Sequence, residues 1–152
     1  MTRLRSLEGL PKRIRKQIAD KILPDTPIQE ARSKYGNKKE EVNGIVFHSG
    51  EEAKRYEQLL FLEKAGDIKD LTLQPKFILQ EAFNKDGVQY HKIKYIADFM
   101  YYDTSTGRAV VEDVKAWDKT LKKYVLTKEF IIKRKLFEKR YQDLKITLIG
   151  EE

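Results

Sequence analysis

Two short apolar runs joined by a polar turn constrain this chain more than any other feature. Tyr95-Ile96-Ala97-Asp98-Phe99-Met100-Tyr101-Tyr102 leads through Asp103-Thr104-Ser105-Thr106-Gly107 into Arg108-Ala109-Val110-Val111-Glu112-Asp113-Val114-Lys115. Both runs are rich in β-branched and aromatic residues, and the glycine-containing segment between them reads as a hairpin loop. Each run nevertheless carries acid where a buried strand should carry none. With Thr104 to Gly107 as the turn, Asp103 faces Arg108, and counting outward sets Asp98 opposite Asp113. Side chains alternate along a strand, so Val111, Asp113 and Lys115 share one face, with Ile96, Asp98 and Met100 as the facing set. Glu112 points the other way; only a bulge would exchange it with Asp113.

Two carboxylates side by side repel unless a cation lies between them. With a lysine two residues on, this is the layout of a divalent-metal phosphodiesterase site. Asp98 and Asp113 would hold Mg²⁺ or Mn²⁺, and the backbone carbonyl of Val114 offers a further hard oxygen. Lys115 would orient the attacking water, help it lose a proton, or stabilise the charge that develops. Taken alone, an acid-x-Lys triplet is an ordinary surface salt bridge. Here it ends a valine-rich run and faces a second acid, which favours a site.

Composition narrows the partners. A chain of 152 residues with 40% hydrophobic content is expected to form one globular domain. The absence of cysteine excludes disulfides, zinc-thiolate sites and thiol nucleophiles, which leaves oxygen ligands and two histidines, His48 and His91, for any metal. There is no apolar run near the roughly 18 residues of a membrane span and no secretory h-region, so a cytoplasmic protein without membrane association is expected. The net charge of +7 favours a polyanion, and basic residues crowd Arg3 to Lys21, Lys34 to Lys39 and Lys119 to Arg140. Lys119, Lys122, Lys123, Lys133 and Lys135 are candidates for DNA-backbone contacts, although a solvated helix face would also explain many of them. Neither a P-loop nor a dinucleotide fingerprint occurs, so no nucleotide cofactor is expected.

Along the chain, residues 1–33 read as a basic arm or helix (Pro11 to Ile22) followed by a linker, and 34–152 as the main domain. Asn43-Gly44 marks a small hairpin. Ser49-Gly50-Glu51-Glu52 is a capping box opening a helix to Ala65, closed by Gly66, with Ala53, Tyr56 and Leu59 among its apolar stripe and Arg55 outside. Ile68 to Leu73 and Lys76 to Gln80 follow as strands, with a turn at Lys85-Asp86-Gly87. After Trp117 the pattern becomes helical, with Thr127 as N-cap and Phe130, Ile131, Leu136, Phe137 and Tyr141 as the apolar set. Lys145 to Ile149 is the last strand. The order predicts an α/β fold, a mixed central sheet flanked by helices.

An acid, then ten to twenty residues, then (Asp/Glu)-x-Lys on a β-hairpin resembles the PD-(D/E)xK nuclease superfamily. The resemblance spans roughly Lys34 to Ile149. Within it the chain looks similar to phage junction-resolving endonucleases of the endonuclease I type and to a phage-borne family of uncharacterised proteins. It implies a restriction-endonuclease-like αβββαβ core. It also implies a Mg²⁺-dependent endodeoxyribonuclease acting on branched DNA such as Holliday junctions, in phage recombination or DNA processing, with a symmetric homodimer in the host cytoplasm. The family's glutamate on the first core helix corresponds to Glu52, which therefore has two readings, capping residue and metal ligand. Gln74, before Pro75, resembles a recurring glutamine that would touch water or phosphate, and its alternative is a strand-end hydrogen bond. His48 would reach phosphate or serve as a capping or surface residue. Ala97 stands where the namesake proline is usual, and Ala116 where glycine is frequent; neither removes a catalytic group. The alternatives are a transposase-type or restriction-type nuclease on the same fold, or a non-catalytic DNA-binding accessory protein whose acids are structural.

Overall fold

A computed structural model describes residues 38–150; the expected basic arm and linker at 1–33 lie outside the described residues. The elements run β1 (Glu40–Val42), β2 (Ile45–Phe47), α1 (Gly50–Ala65), β3 (Ile68–Leu73), β4 (Lys76–Gln80), β5 (Phe83–Lys85) and β6 (Val88–Tyr90). Then follow β7 (Ile93–Ile96), β8 (Phe99–Asp103), β9 (Arg108–Val114), β10 (Trp117–Asp118), β11 (Lys123–Tyr124), α2 (Lys128–Arg140) and β12 (Ile146–Ile149). The central sheet has the order β12-β9-β8-β3, with β12 parallel to β9 and the other pairs antiparallel. The fold is thus mixed α/β, as the sequence predicts at that level.

The hairpin β8–β9 has the register counted from its turn, from Asp103 opposite Arg108 to Phe99 opposite Glu112. Asp103 fixes the turn locally: its Oδ1 accepts from the Ser105 and Thr106 N–H groups and the Ser105 hydroxyl. Alternation then splits the sheet into two faces. Phe99 and Tyr101 meet Ala53, Tyr56 and Leu59 of α1, with Phe47 and Ile68. Met100, Val111 and Ile146 meet Phe130 and Phe137 of α2, with Phe77, Tyr95 and Tyr141. Phe137 is fully buried among three aromatic rings, edge-on to Phe77 at 5.0 Å and to Tyr95 at 5.6 Å and tilted against Tyr141 at 5.0 Å. Its truncation to alanine would cost about 3–5 kcal/mol.

Both helices begin as their sequences dictate. The Ser49 hydroxyl accepts the Glu52 N–H at 3.2 Å, and Gly66 ends α1 at φ 85, where a Cβ would be strained. Thr127 caps α2 by accepting the Phe130 N–H at 3.1 Å.

Several expectations need correction. Tyr95 to Tyr102 is not one strand, because the chain changes sheets at Ala97-Asp98: β7 pairs with β4 and β8 with β3. The partner strand breaks at the same level. Pro75 has no N–H to give, and Gln74 takes φ 47, so its own N–H turns to the Asp98 carbonyl at 2.9 Å while the Pro75 carbonyl accepts from Ala97. Ile96 is consequently exposed while Met100 is buried. Helical pattern does not begin directly after Trp117; β10 and β11 form a small hairpin because the Asp118 carboxylate gathers the Thr120 and Leu121 N–H groups into a turn. Ile131, expected in the apolar stripe of α2, is exposed, since α2 spends its buried face on Phe130 and Phe137. Arg55, expected outside, is drawn inward by a buried acid described below.

Candidate active site

The break between β7 and β8 leaves Asp98 just ahead of the paired ladder, with its backbone N–H still donating to the Glu112 carbonyl at 3.1 Å. This holds Asp98 in line with Asp113, where the register puts it. The Asp98 Oδ2 accepts the Val114 N–H at 2.6 Å, so its carboxylate is fastened to the end of β9. Asp113 is 3% exposed. Its Oδ2 accepts from the Tyr95 hydroxyl at 2.5 Å, and its Oδ1 is paired with the Lys115 ammonium. Lys115 also lies over the Phe130 ring, 4.5 Å from its centroid, so its charge is held between an acid and a π face.

Electrostatics single out Asp98. Burial first, then the negative charges of Asp113 and Glu52, push its carboxyl up to about 7, against the lowering effect of the Val114 N–H and of Lys115. Glu52 from α1 thus shares the field of the two hairpin acids. Its side chain is also engaged in capping: the Ser49 hydroxyl and the His48 N–H each stand 3.3 Å from its oxygens. Burial and the neighbouring Asp113 likewise push the Tyr95 hydroxyl well above the ordinary tyrosine range, so it remains a donor at physiological pH.

Glu112, one residue from Asp113, does something different. It is 1% exposed on the α1 face, where Arg55 Nε and Nη2 reach it at 2.9 and 2.6 Å and the Tyr101 hydroxyl at 2.7 Å. The pairing raises the Arg55 guanidinium above its ordinary value. A bidentate, fully satisfied carboxylate on the far face is a structural ion pair.

Oxygen donors of this kind suit a hard divalent cation, and the three acids against one nearby lysine leave negative charge that such a cation would relieve. The ligating geometry is not assembled, however: among the described residues no group of three His, Asp or Glu side chains is placed to hold a metal. Lys115 sits on Asp113, and Glu52 is turned to its cap.

A groove of about 680 Å³ opens on the α2 side, lined by Asp113 and Lys115 together with Tyr95, Lys92, Lys94, Phe130 and Lys133. Of the lysines expected to contact a backbone, Lys133 lines this groove, paired with Glu129 at 2.6 Å. The others do not: Lys119, Lys122 and Lys123 belong to the β10–β11 hairpin, and Lys135 is exposed on α2. Gln74 meets Asp98 through its backbone, and His48 is exposed beside the α1 cap. Sequence reasoning missed Tyr95, Lys92, Lys94 and Arg55. Tyr95 escaped notice because regular alternation would put it on the face opposite Asp98; the change of sheets at Ala97-Asp98 is what lets its hydroxyl reach Asp113.

A mixed α/β chain with paired acids at a hairpin end is the class that fold and site define. Residues 32–151 match the family described as "Protein of unknown function (DUF1064)", and the chain belongs to that family. No curated protein and no solved structure matches it. No helix among the described residues is long and apolar enough to cross a membrane.

Proposed function

We propose that this protein is a Mg²⁺- or Mn²⁺-dependent endodeoxyribonuclease of the PD-(D/E)xK type. The observation that carries the reading is the facing of Asp98 and Asp113 across the end of β8–β9, with Lys115 on Asp113 and Glu52 in the same field. The order α1, β3, β8, β9, α2, β12, with β4 to β7 as an insertion, supports a restriction-endonuclease-like αβββαβ core. A divalent ion bound at the acids would polarise the scissile phosphate and activate a water. Asp98 and Asp113 would be the principal ligands, with the Val114 carbonyl and Glu52 beside them. Tyr95 fixes the rotamer of Asp113 through its hydroxyl, and Lys115 supplies a positive charge at the reacting phosphate, where it stabilises developing negative charge or holds the nucleophilic water. Lys92, Lys94 and Lys133 line the path of the phosphate backbone. Branched DNA, a homodimer and a phage setting follow from the family resemblance alone.

The test is a cleavage panel of four-way, flap, linear and single-stranded DNA with Mg²⁺ and Mn²⁺. Wild type should cut, and Lys115→Ala and Asp113→Asn should each lose at least about a hundredfold in rate. Cleavage that survives both substitutions overturns the site. Binding without any cleavage by wild type would instead favour a DNA-binding accessory protein.

A further inference from the structure

The groove leads to an element that the proposed chemistry leaves unused. β5 and β6 form a hairpin whose six strand residues are all exposed. Its register pairs Phe83 with Tyr90, Asn84 with Gln89 and Lys85 with Val88. One face therefore carries Phe83, Tyr90, Val88 and Lys85, and the other Asn84 and Gln89. Phe83 and Tyr90 are stacked at 4.7 Å with planes 7° apart, yet remain 43% and 45% exposed, and Val88 is 52% exposed. A parallel aromatic pair left open to water at the open end of a two-stranded ribbon adds nothing to either core cluster. Its outer ring faces suit another flat π system.

The surroundings choose the occupant. The turn holds φ 51 at Asp86 and φ 76 at Gly87, which fixes the ribbon's twist. Asp86 is the acid of that turn, while Glu81 at the ribbon's base is neutralised by Arg140 at 3.1 Å. Lys85, Lys92 and Lys94 make the ribbon and its exit basic. Lys92 and Lys94 line the same groove as Asp113 and Lys115. Tyr90 precedes Tyr95 by five residues, so the aromatic pair lies within about 18 Å of chain from the residue that touches Asp113. A second copy of this ribbon would set like charges against each other, whereas a nucleic acid matches both the rings and the lysines.

We infer that the β5–β6 hairpin is a base-stacking arm: Phe83 and Tyr90 stack on unpaired nucleobases of a strand whose phosphates run along Lys92 and Lys94 into the site. This rests on the nuclease reading for the identity of the polyanion. It adds residues and a preference for DNA with unpaired bases, argued from the hairpin itself.

The experiment is equilibrium binding, in EDTA, of wild type, Phe83→Ala/Tyr90→Ala and Lys92→Glu/Lys94→Glu. The probes are a blunt duplex and the same duplex with a single-stranded overhang carrying a fluorescent purine. Wild type should bind the overhang more tightly and quench the purine. The aromatic double variant should lose roughly ten- to a hundredfold on the overhang, with quenching abolished and blunt-duplex binding nearly unchanged. The lysine variant should weaken both probes and flatten the salt dependence. The substituted side chains are exposed, so melting temperatures should match wild type. Unchanged overhang affinity in the aromatic variant, from a wild type that still binds and cuts DNA, overturns this inference alone. A change of sedimentation from dimer to monomer in that variant overturns it in favour of a subunit contact. A wild type that neither binds nor cuts DNA refutes the nuclease reading and this inference with it.

Discussion

Asp98→Asn should stabilise the metal-free protein while removing its activity. Folding moves the Asp98 carboxyl from 3.8 to about 7, through burial first and through Asp113 and Glu52 second. The native state therefore keeps a proton that the unfolded chain releases near pH 4, and stability falls as pH rises from about 4 to about 7. Three units at 1.36 kcal/mol each would give about 4 kcal/mol; with the side chain half-buried and partly screened by water, about 2–4 kcal/mol is expected. Asparagine is nearly isosteric and its carbonyl still accepts the Val114 N–H, so the substitution removes the charge and little else. At pH 8 the variant should melt roughly 4–16 °C above wild type, and at pH 4.5 the difference should nearly vanish. Millimolar Mg²⁺ or Mn²⁺ should raise the melting temperature of wild type at pH 8 and leave that of Asp98→Asn unmoved. A variant no more stable than wild type at pH 8, or a gap independent of pH, would refute the convergence of acids on which the site rests.

Arg55→Ala should cost about 3–5 kcal/mol in urea unfolding, because it strands Glu112 without its bidentate partner, and Arg55→Met/Glu112→Leu should recover most of that loss. Gly150→Ala would place a Cβ 2.5 Å from the Lys115 carbonyl and 2.9 Å from the Tyr124 ring, so the chain just after β12 and the Lys115 backbone beside it must move apart; kcat should fall at least several-fold with KM little changed. Gly66→Ala, at φ 85 beyond α1 and remote from the groove, should cost about 1 kcal/mol in melting experiments and leave cleavage intact.

The elements that sequence alone revealed are those set by local chemistry. The Asn43-Gly44 and Asp103–Gly107 turns, the Ser49 and Thr127 caps and the Gly66 terminus all depend on residues within three or four positions of one another. The register of β8–β9 followed from its turn, and with it the facing of Asp98 and Asp113. What stayed hidden is set across the chain. The break at Ala97-Asp98 depends on Pro75, which lies more than twenty residues earlier and acts only once β3–β4 and β7–β8 lie side by side. A run of eight strand-forming residues gives no local sign of it. Lys92 and Lys94 were passed over for the same reason: the lysines of the 119–135 segment are denser in sequence, but density along the chain does not decide which charges reach Asp113.

The neighbouring acids Glu112 and Asp113 show why one glutamate is spent on structure beside the site. Strand alternation sends them to opposite faces, and each face supplies a different counter-charge. Glu112 meets a guanidinium that cannot lose its proton and is closed off by α1, so its bidentate pair is a fixed structural contact. Asp113 meets an ammonium and a phenol on the groove side, partners that can exchange for phosphate and a cation without unfolding the sheet. The Arg55–Glu112 pair also ties α1, which carries Glu52, to the middle of β9, which carries Asp113. Loss of that pair should therefore loosen the placement of Glu52 as well as the fold. Arg55→Met/Glu112→Leu, if it regains stability but not cleavage, would separate the two contributions; full recovery of both would show that the pair serves the fold alone.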